Sequence, residues 1–140
     1  KAITGMRSVW RRVDEVLDLV GIGRFRNLPI ASLAYSEQRA LEIALAVACD
    51  PALVLLDEPT AGMSRAETDT MIDAIRRIAK GRTLVLIEHD MNVVFGLADR
   101  ASVLVYGEVL ISAAPAIVRE DSRVRQAYLG QVITAEAAHV

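Results

Sequence analysis

Residues 53–60 read Leu-Val-Leu-Leu-Asp-Glu-Pro-Thr, and no other stretch narrows the fold as much. Four large aliphatic residues in succession suit a strand buried on both faces, as in a parallel sheet. Burial stops at two adjacent carboxylates, Asp57 and Glu58, and Pro59 ends the strand. Adjacent acids there are costly unless a metal, a phosphate-borne cation or a reacting water uses them. In open α/β sheets the carboxyl ends of the strands are where ligands bind. A solvated strand-end cap is the plainer alternative, and it explains one acid better than a pair.

The rest of the chain fits around that strand. Val9, Val13, Val16, Leu17 and Val20 form one helical stripe over residues 8–20, and Gly21 and Gly23 end it. A second helix is expected from near Ser36 until Asp50-Pro51 stops it. Ser64-Arg65-Ala66-Glu67 has capping-box spacing and opens a third helix, closed by Gly81. Thr83–Ile87 reads as a second continuous apolar strand, ending at Glu88-His89-Asp90, where Asp90 can cap a short helix through Ala98. Residues 101–106 and 108–112 flank Gly107 as a hairpin. Residues 115–120 and 122–129 read as short helices before a weakly specified tail. Alternating strands and helices make this an α/β chain.

Composition agrees. Of 140 residues, 53% are hydrophobic and 4% aromatic, which suits a helix-covered parallel sheet better than an antiparallel sandwich. A net charge of -2 gives no electrostatic case for a nucleic-acid partner. Arg11-Arg12 and Arg76-Arg77 read as solvated helix faces. The single cysteine, Cys49, excludes an internal disulfide, suits a reducing cytoplasm, and reads as a small buried residue after an Ala-Val-Ala run. No apolar run approaches the roughly 20 residues of a membrane span.

Leu33-Ala34-Tyr35-Ser36-Glu37-Gln38-Arg39, then residues 53–60, then Glu88-His89-Asp90 resemble, in that order, the second half of an ATP-binding cassette (ABC) ATPase. The likeness runs over roughly residues 8–130. Tyr35, Ala61-Gly62-Met63, Ile87–Met91 and Ala127-Tyr128-Leu129-Gly130 look most like the branched-chain amino acid importer subfamily. The resemblance implies a P-loop NTPase-like, mostly parallel sheet with flanking helices plus a helical subdomain segment. It divides the chain into residues 1–50 (helical segment, signature loop and helix), 51–114 (C-terminal half of the ATPase core) and 115–140 (terminal helices and tail).

The same resemblance assigns roles. Asp57 would hold Mg²⁺ through its water shell, Glu58 would polarise the water attacking the γ-phosphate of ATP, and His89 would sense that phosphate. Leu33, Ala34, Tyr35, Ser36 and Glu37 would form the signature loop, serving ATP bound to a partner subunit. Ala61-Gly62-Met63-Ser64 corresponds to the D-loop that links the two sites of a dimer. Implied partners are a second ATP-binding subunit, transmembrane permease subunits and, indirectly, a periplasmic solute-binding protein. The implied location is cytoplasmic, on the inner face of the membrane. An exposed aliphatic patch on the first helices would then serve docking on the membrane partner.

Two departures bear on activity. The family's signature carries serine and glycine where this chain has Ala34 and Ser36. Ala34 cannot donate to a phosphate, and Ser36 adds a side chain where a bare helix N-terminus binds anions, although its hydroxyl could cap the helix or replace a lost donor. No G-x-x-x-x-G-K-[ST] loop occurs, so the phosphate-loop half, whose strand would lie between residues 83–87 and 101–105, is expected to lie before Lys1.

Four readings follow: part of an import ATPase, a non-catalytic cassette-like module paired with another cassette, a DNA-repair ATPase of the same fold, and a stand-alone metallohydrolase using Asp57, Glu58, Glu88, His89 and Asp90. The third lacks its long heptad insertion, and the fourth lacks a helical ligand spacing.

Overall fold

A computed structural model describes residues 2–127, with side chains from Met6 onward. Close contacts divide the chain into Lys1–Val93 and Val94–Val140.

In the first unit, α1 (Ala2–Leu19) starts earlier than the expected residue 8, because no proline interrupts the preceding turn. Its stripe is buried at Val16 and Val20, whereas Met6, Val9 and Trp10 at the other end are exposed. Gly21 adopts φ 81° beyond the helix end, a left-handed turn that glycine enters without a Cβ clash. Helix α2 (Tyr35–Val47) buries Ala40, Ile43, Ala44 and Val47 and stops before Asp50-Pro51. Helix α3 (Arg65–Ala79) starts at its capping box: Glu67 N–H reaches Ser64 Oγ at 3.4 Å, and Ser64 N–H donates to Glu67 Oε2 at 2.9 Å. The three helices pack on one another, and α2 also packs on β1, with Val47, Ile75 and Ile78 fully enclosed.

Strands β1 (Leu53–Asp57) and β2 (Thr83–Ile87) match the expected boundaries and pair in parallel, Leu53 opposite Thr83 through Asp57 opposite Ile87. Their burial corrects the expectation. Val54 and Leu56 face the helices, but Leu55 is 67% and Ile87 62% exposed, with Leu53 and Val85 also open. An unbroken aliphatic run therefore lies buried on one face only, the side on which α2 packs. Such a run reports the chemistry of both faces without showing which one is covered.

Cys49 is likewise exposed rather than buried, since α2 ends at Val47 and the chain turns outward before β1. The arginine pairs are more than solvated faces. Arg12 donates to the Val47 and Ala48 carbonyls at 3.1 Å, and Arg77 to the Leu19 carbonyl at 2.8 Å. Each guanidinium thus adds a hydrogen bond to carbonyls at the C-terminal end of a neighbouring helix.

Helix α4 (Met91–Leu97) starts at Asp90, whose carboxylate accepts from Asn92 N–H at 2.8 Å, and it runs across the division between the units. In the second unit, β3 (Ala101–Val105) and β4 (Glu108–Ala113) form an antiparallel hairpin with an irregularity between Val103 and Leu104. Its turn, Tyr106-Gly107, has φ 50° and 84°, the two left-handed positions of a type I′ turn. Helix α5 (Pro115–Glu120) packs on the hairpin through fully buried Val118, and residues 122–127 form a further helical turn. Each strand pair is a two-stranded sheet within its own unit. The expected helix to residue 129, the Tyr128-Leu129-Gly130 ending and the tail lie outside the described residues.

Candidate functional site

The parallel register brings the ends of β1 and β2 together. Asp57 lies opposite Ile87, and Glu58 N–H continues the ladder to the Ile87 carbonyl at 2.9 Å. Glu58 then turns into the left-handed region, φ 43°. A non-glycine residue there carries a backbone cost of roughly 1–2 kcal/mol, which surrounding contacts must hold. They do: Ala61 N–H reaches the Glu58 carbonyl at 3.2 Å, and Arg39 Nη2 from α2 donates to the same oxygen at 3.2 Å. This turn brings Glu58 Oε1 to 3.2 Å from His89 Nδ1, with side-chain exposures of 51% and 74%. A carboxylate only accepts, so Nδ1 carries the hydrogen in this contact.

Asp57 is exposed beside a hollow of about 210 Å³ bounded by Arg39, Glu42, Leu55 and Pro59. Among the described residues no group of three or more His, Cys, Asp or Glu side chains could hold a metal ion. That donor set does not fit a self-sufficient metal centre. One or two such carboxylates would suit Mg²⁺ only together with its waters and substrate phosphates. The structure therefore gathers Asp57, Glu58 and His89 at one strand edge.

The loop before α2 holds the five expected signature residues. Leu33 is buried, Ala34 is the helix N-cap, Tyr35 is exposed, and Ser36 and Glu37 are half-buried. Glu37 Oε2 accepts from Ala34 N–H at 2.8 Å, one half of a capping box, since alanine offers no acceptor in return. The first intrahelical bond runs from Gln38 N–H to the Ala34 carbonyl at 2.9 Å, leaving the amides of Tyr35, Ser36 and Glu37 ahead of the helical ladder. Ser36 neither caps this helix nor points its hydroxyl at open solvent. Its Oγ donates to Glu67 Oε1 at 2.7 Å.

Glu67 also accepts from the Ser64 hydroxyl at 2.7 Å. Its carboxyl is held down at about 2, chiefly by the Ser64 hydroxyl, then by the Ser64 amide and Ser36. Gly62 holds φ 74°, a left-handed turn that glycine enters without strain, and the turn lies beside the Tyr35 ring, whose Cε1 would stand 3.6 Å from a Cβ there. Ser36 therefore joins the start of α2 to the first turn of α3, and Tyr35 lies beside the turn at Gly62.

Sequence reasoning passed over Arg39 and Thr60 as parts of this site, and it weighed Glu88 only as a ligand in the metallohydrolase reading. Arg39 and Glu88 fell inside motifs already assigned to other positions. Only the register of the two parallel strands, visible in the structure and not in the sequence, sets residues 57–60 beside 87–89.

The ABC transporter family model matches residues 4–61. Among curated proteins, the high-affinity branched-chain amino acid transport ATP-binding protein LivG of Escherichia coli K12 is 37% identical over 117 residues, 82% of this chain and 46% of LivG. The Salmonella typhimurium protein of the same name gives the same figures. The chain thus spans about half the length of these relatives, 46%. Among solved structures, the ADP conformation of MJ1267, an ATP-binding cassette of an ABC transporter, has a TM-score of 0.77 at 21% identity, covering 88% of this chain and 50% of that one. The structure of cbiO1 from Clostridium perfringens, part of the ABC transporter complex cbiONQ, has a TM-score of 0.76 at 23% identity, covering 96% and 55%. The chain has the α/β fold of about half of these cassettes, 50% of the first and 55% of the second.

Proposed function

We propose that this chain is part of an ABC transporter ATP-binding protein, in which Asp57-Glu58, the D-loop and His89 form one portion of an ATPase that drives solute import. The observation that carries the reading is the 3.2 Å contact of Glu58 with His89 at the ends of two parallel strands, with Asp57 alongside. Bound Mg-ATP would supply the reactive phosphate and the charge that neutralises it. Asp57 would orient the cation's waters. Glu58, turned out by its left-handed backbone, would accept a proton from the attacking water. His89 holds its Nδ1–H toward Glu58, so a neutral ring presents Nε2 as an acceptor, and donation to a phosphate oxygen requires the doubly protonated ring. Leu33–Glu37 would serve a second subunit's ATP through the first-turn amides of α2.

The likeness to LivG supports branched-chain amino acids as the cargo. Exposed Met6, Val9 and Trp10 on α1 would meet a permease on the inner membrane face, with a periplasmic binding protein delivering solute from the other side. Among the described residues no helix is long and apolar enough to cross a membrane, so α1 would dock rather than insert. The open face of Leu53, Leu55, Val85 and Ile87 would seat the phosphate-loop half of the cassette.

One observation favours a second reading, a non-catalytic cassette that pairs with an active one. Ala34 has no side-chain donor, and the Ser36 hydroxyl is committed to Glu67. Mg-ATP turnover by the full-length protein containing this chain separates the two. Glu58→Gln is expected to lower kcat by about 10²–10⁴-fold. Near-normal turnover in that variant removes Glu58 from its role, and a wild-type protein that pairs with a second cassette without turning over ATP establishes the non-catalytic reading.

A further inference from the structure

Three consecutive residues of the second strand's end each grip the turn that follows the first. The Ile87 carbonyl accepts from Glu58 N–H at 2.9 Å, and His89 Nδ1 meets Glu58 Oε1 at 3.2 Å. Between them, Glu88 Oε1 accepts two bonds from one residue: Thr60 N–H at 3.1 Å and Thr60 Oγ1 at 2.6 Å. Thr60 is 7% exposed, the sole buried polar residue among the described ones. Its carbonyl accepts from Met63 N–H at 3.2 Å, so all its polar groups are engaged. Glu88 Oε2, by contrast, is buried with no partner. Keeping a half-satisfied carboxylate here costs desolvation that the paired oxygen must offset.

We infer that Glu88 is a positioning residue, which grips the Thr60 amide and hydroxyl and so ties His89 to the turn holding Glu58 and the D-loop. This rests on the ATPase reading for its consequence, though not for its geometry. A shift of His89 moves Glu88 with it along one backbone. Glu88 pulls Thr60, and Thr60 pulls Met63, while Glu58 lies two residues back on the same turn. A change at the phosphate sensor would therefore reach both the catalytic carboxylate and the loop facing the second subunit. Glu88 itself touches no reacting atom.

The test separates the tie from its consequence. In this chain, amide exchange at Thr60 is measured for wild type, Glu88→Ala, Glu88→Gln and Thr60→Val. Alanine removes the acceptor and is expected to speed exchange at residue 60 about tenfold or more. Glutamine keeps an acceptor oxygen and is expected to stay near wild type. Valine, a second probe should Glu88→Ala fail to fold, loses the hydroxyl bond while its amide remains protected. In the full-length ATPase, Glu88→Ala is expected to lower kcat about tenfold while KM moves less than about twofold, with Glu88→Gln restoring turnover. Unchanged exchange in Glu88→Ala, or exchange in Glu88→Gln as fast as in Glu88→Ala, overturns the tie. A wild-type protein without turnover sinks the ATPase reading instead, and the exchange arm still decides the tie.

Discussion

The two strand pairs teach different lessons about where chemistry can be placed. The hairpin β3–β4 closes on itself through a two-residue turn, so its pairing needs nothing beyond neighbouring sequence. The parallel pair β1–β2 needs the whole of α3 as a crossover. In return, both carboxyl ends emerge at one edge, which is how Glu58 comes to meet His89 across 31 residues of sequence. A hairpin instead sends its strands' ends in opposite directions. Parallel pairing thus concentrates functional groups, at the cost of an apolar surface that local structure cannot cover.

That cost can be measured within β1 alone. Val54→Ala, on the covered face, is expected to lower unfolding stability by about 2 kcal/mol. Leu55→Ala, one residue on and 67% exposed, is expected to cost about 0.5 kcal/mol or less in this chain. Equal losses in urea denaturation would break the one-faced description of the sheet.

The hairpin's self-sufficiency rests on its turn. Gly107→Ala meets no atom within 4 Å but must hold φ 84°. A loss of about 1 kcal/mol is expected from the backbone alone. A thermal midpoint unchanged in that variant would show that the hairpin is held from elsewhere than its turn.

The smallest effect is at the junction of α2 with α3. Glu67 is pulled from 4.5 to about 2, first by the Ser64 hydroxyl, so the fold favours its charged form. The stability it contributes is full above the unfolded value and is lost as pH falls from 4.5 through about 2. Carboxyl NMR titration should place its midpoint near the lower value, and Glu67→Gln should flatten the acid limb of stability over that window. A midpoint near 4.5 would mean that the Ser36–Glu67–Ser64 arrangement does not persist in solution.

Much of this was legible in the residue order. The bounds of β1 and β2 follow from aliphatic runs closed by polar residues, and Ser64 with Glu67 announces the start of α3. Asp57, Glu58 and His89 stood out because charged groups follow buried strands. Glu88 drew notice only as a possible metal ligand, not as the partner of Thr60. Thr60 did not stand out, because a threonine after proline has an ordinary explanation in one dimension. Arg12 and Arg77 were read as surface charge for the same reason, though each donates a hydrogen bond at the end of another helix.

Sequence alone determined the elements, since periodicity, caps and turns act over a few residues. It also determined which side chains carry ionisable chemistry. Tertiary structure alone decided which face of β1 is covered, that Ser36 is spent on Glu67, and that Glu88 holds Thr60. Those outcomes depend on the register between strands and on which helix lies over which face. Register and packing are long-range choices, and no local preference of the chain encodes them.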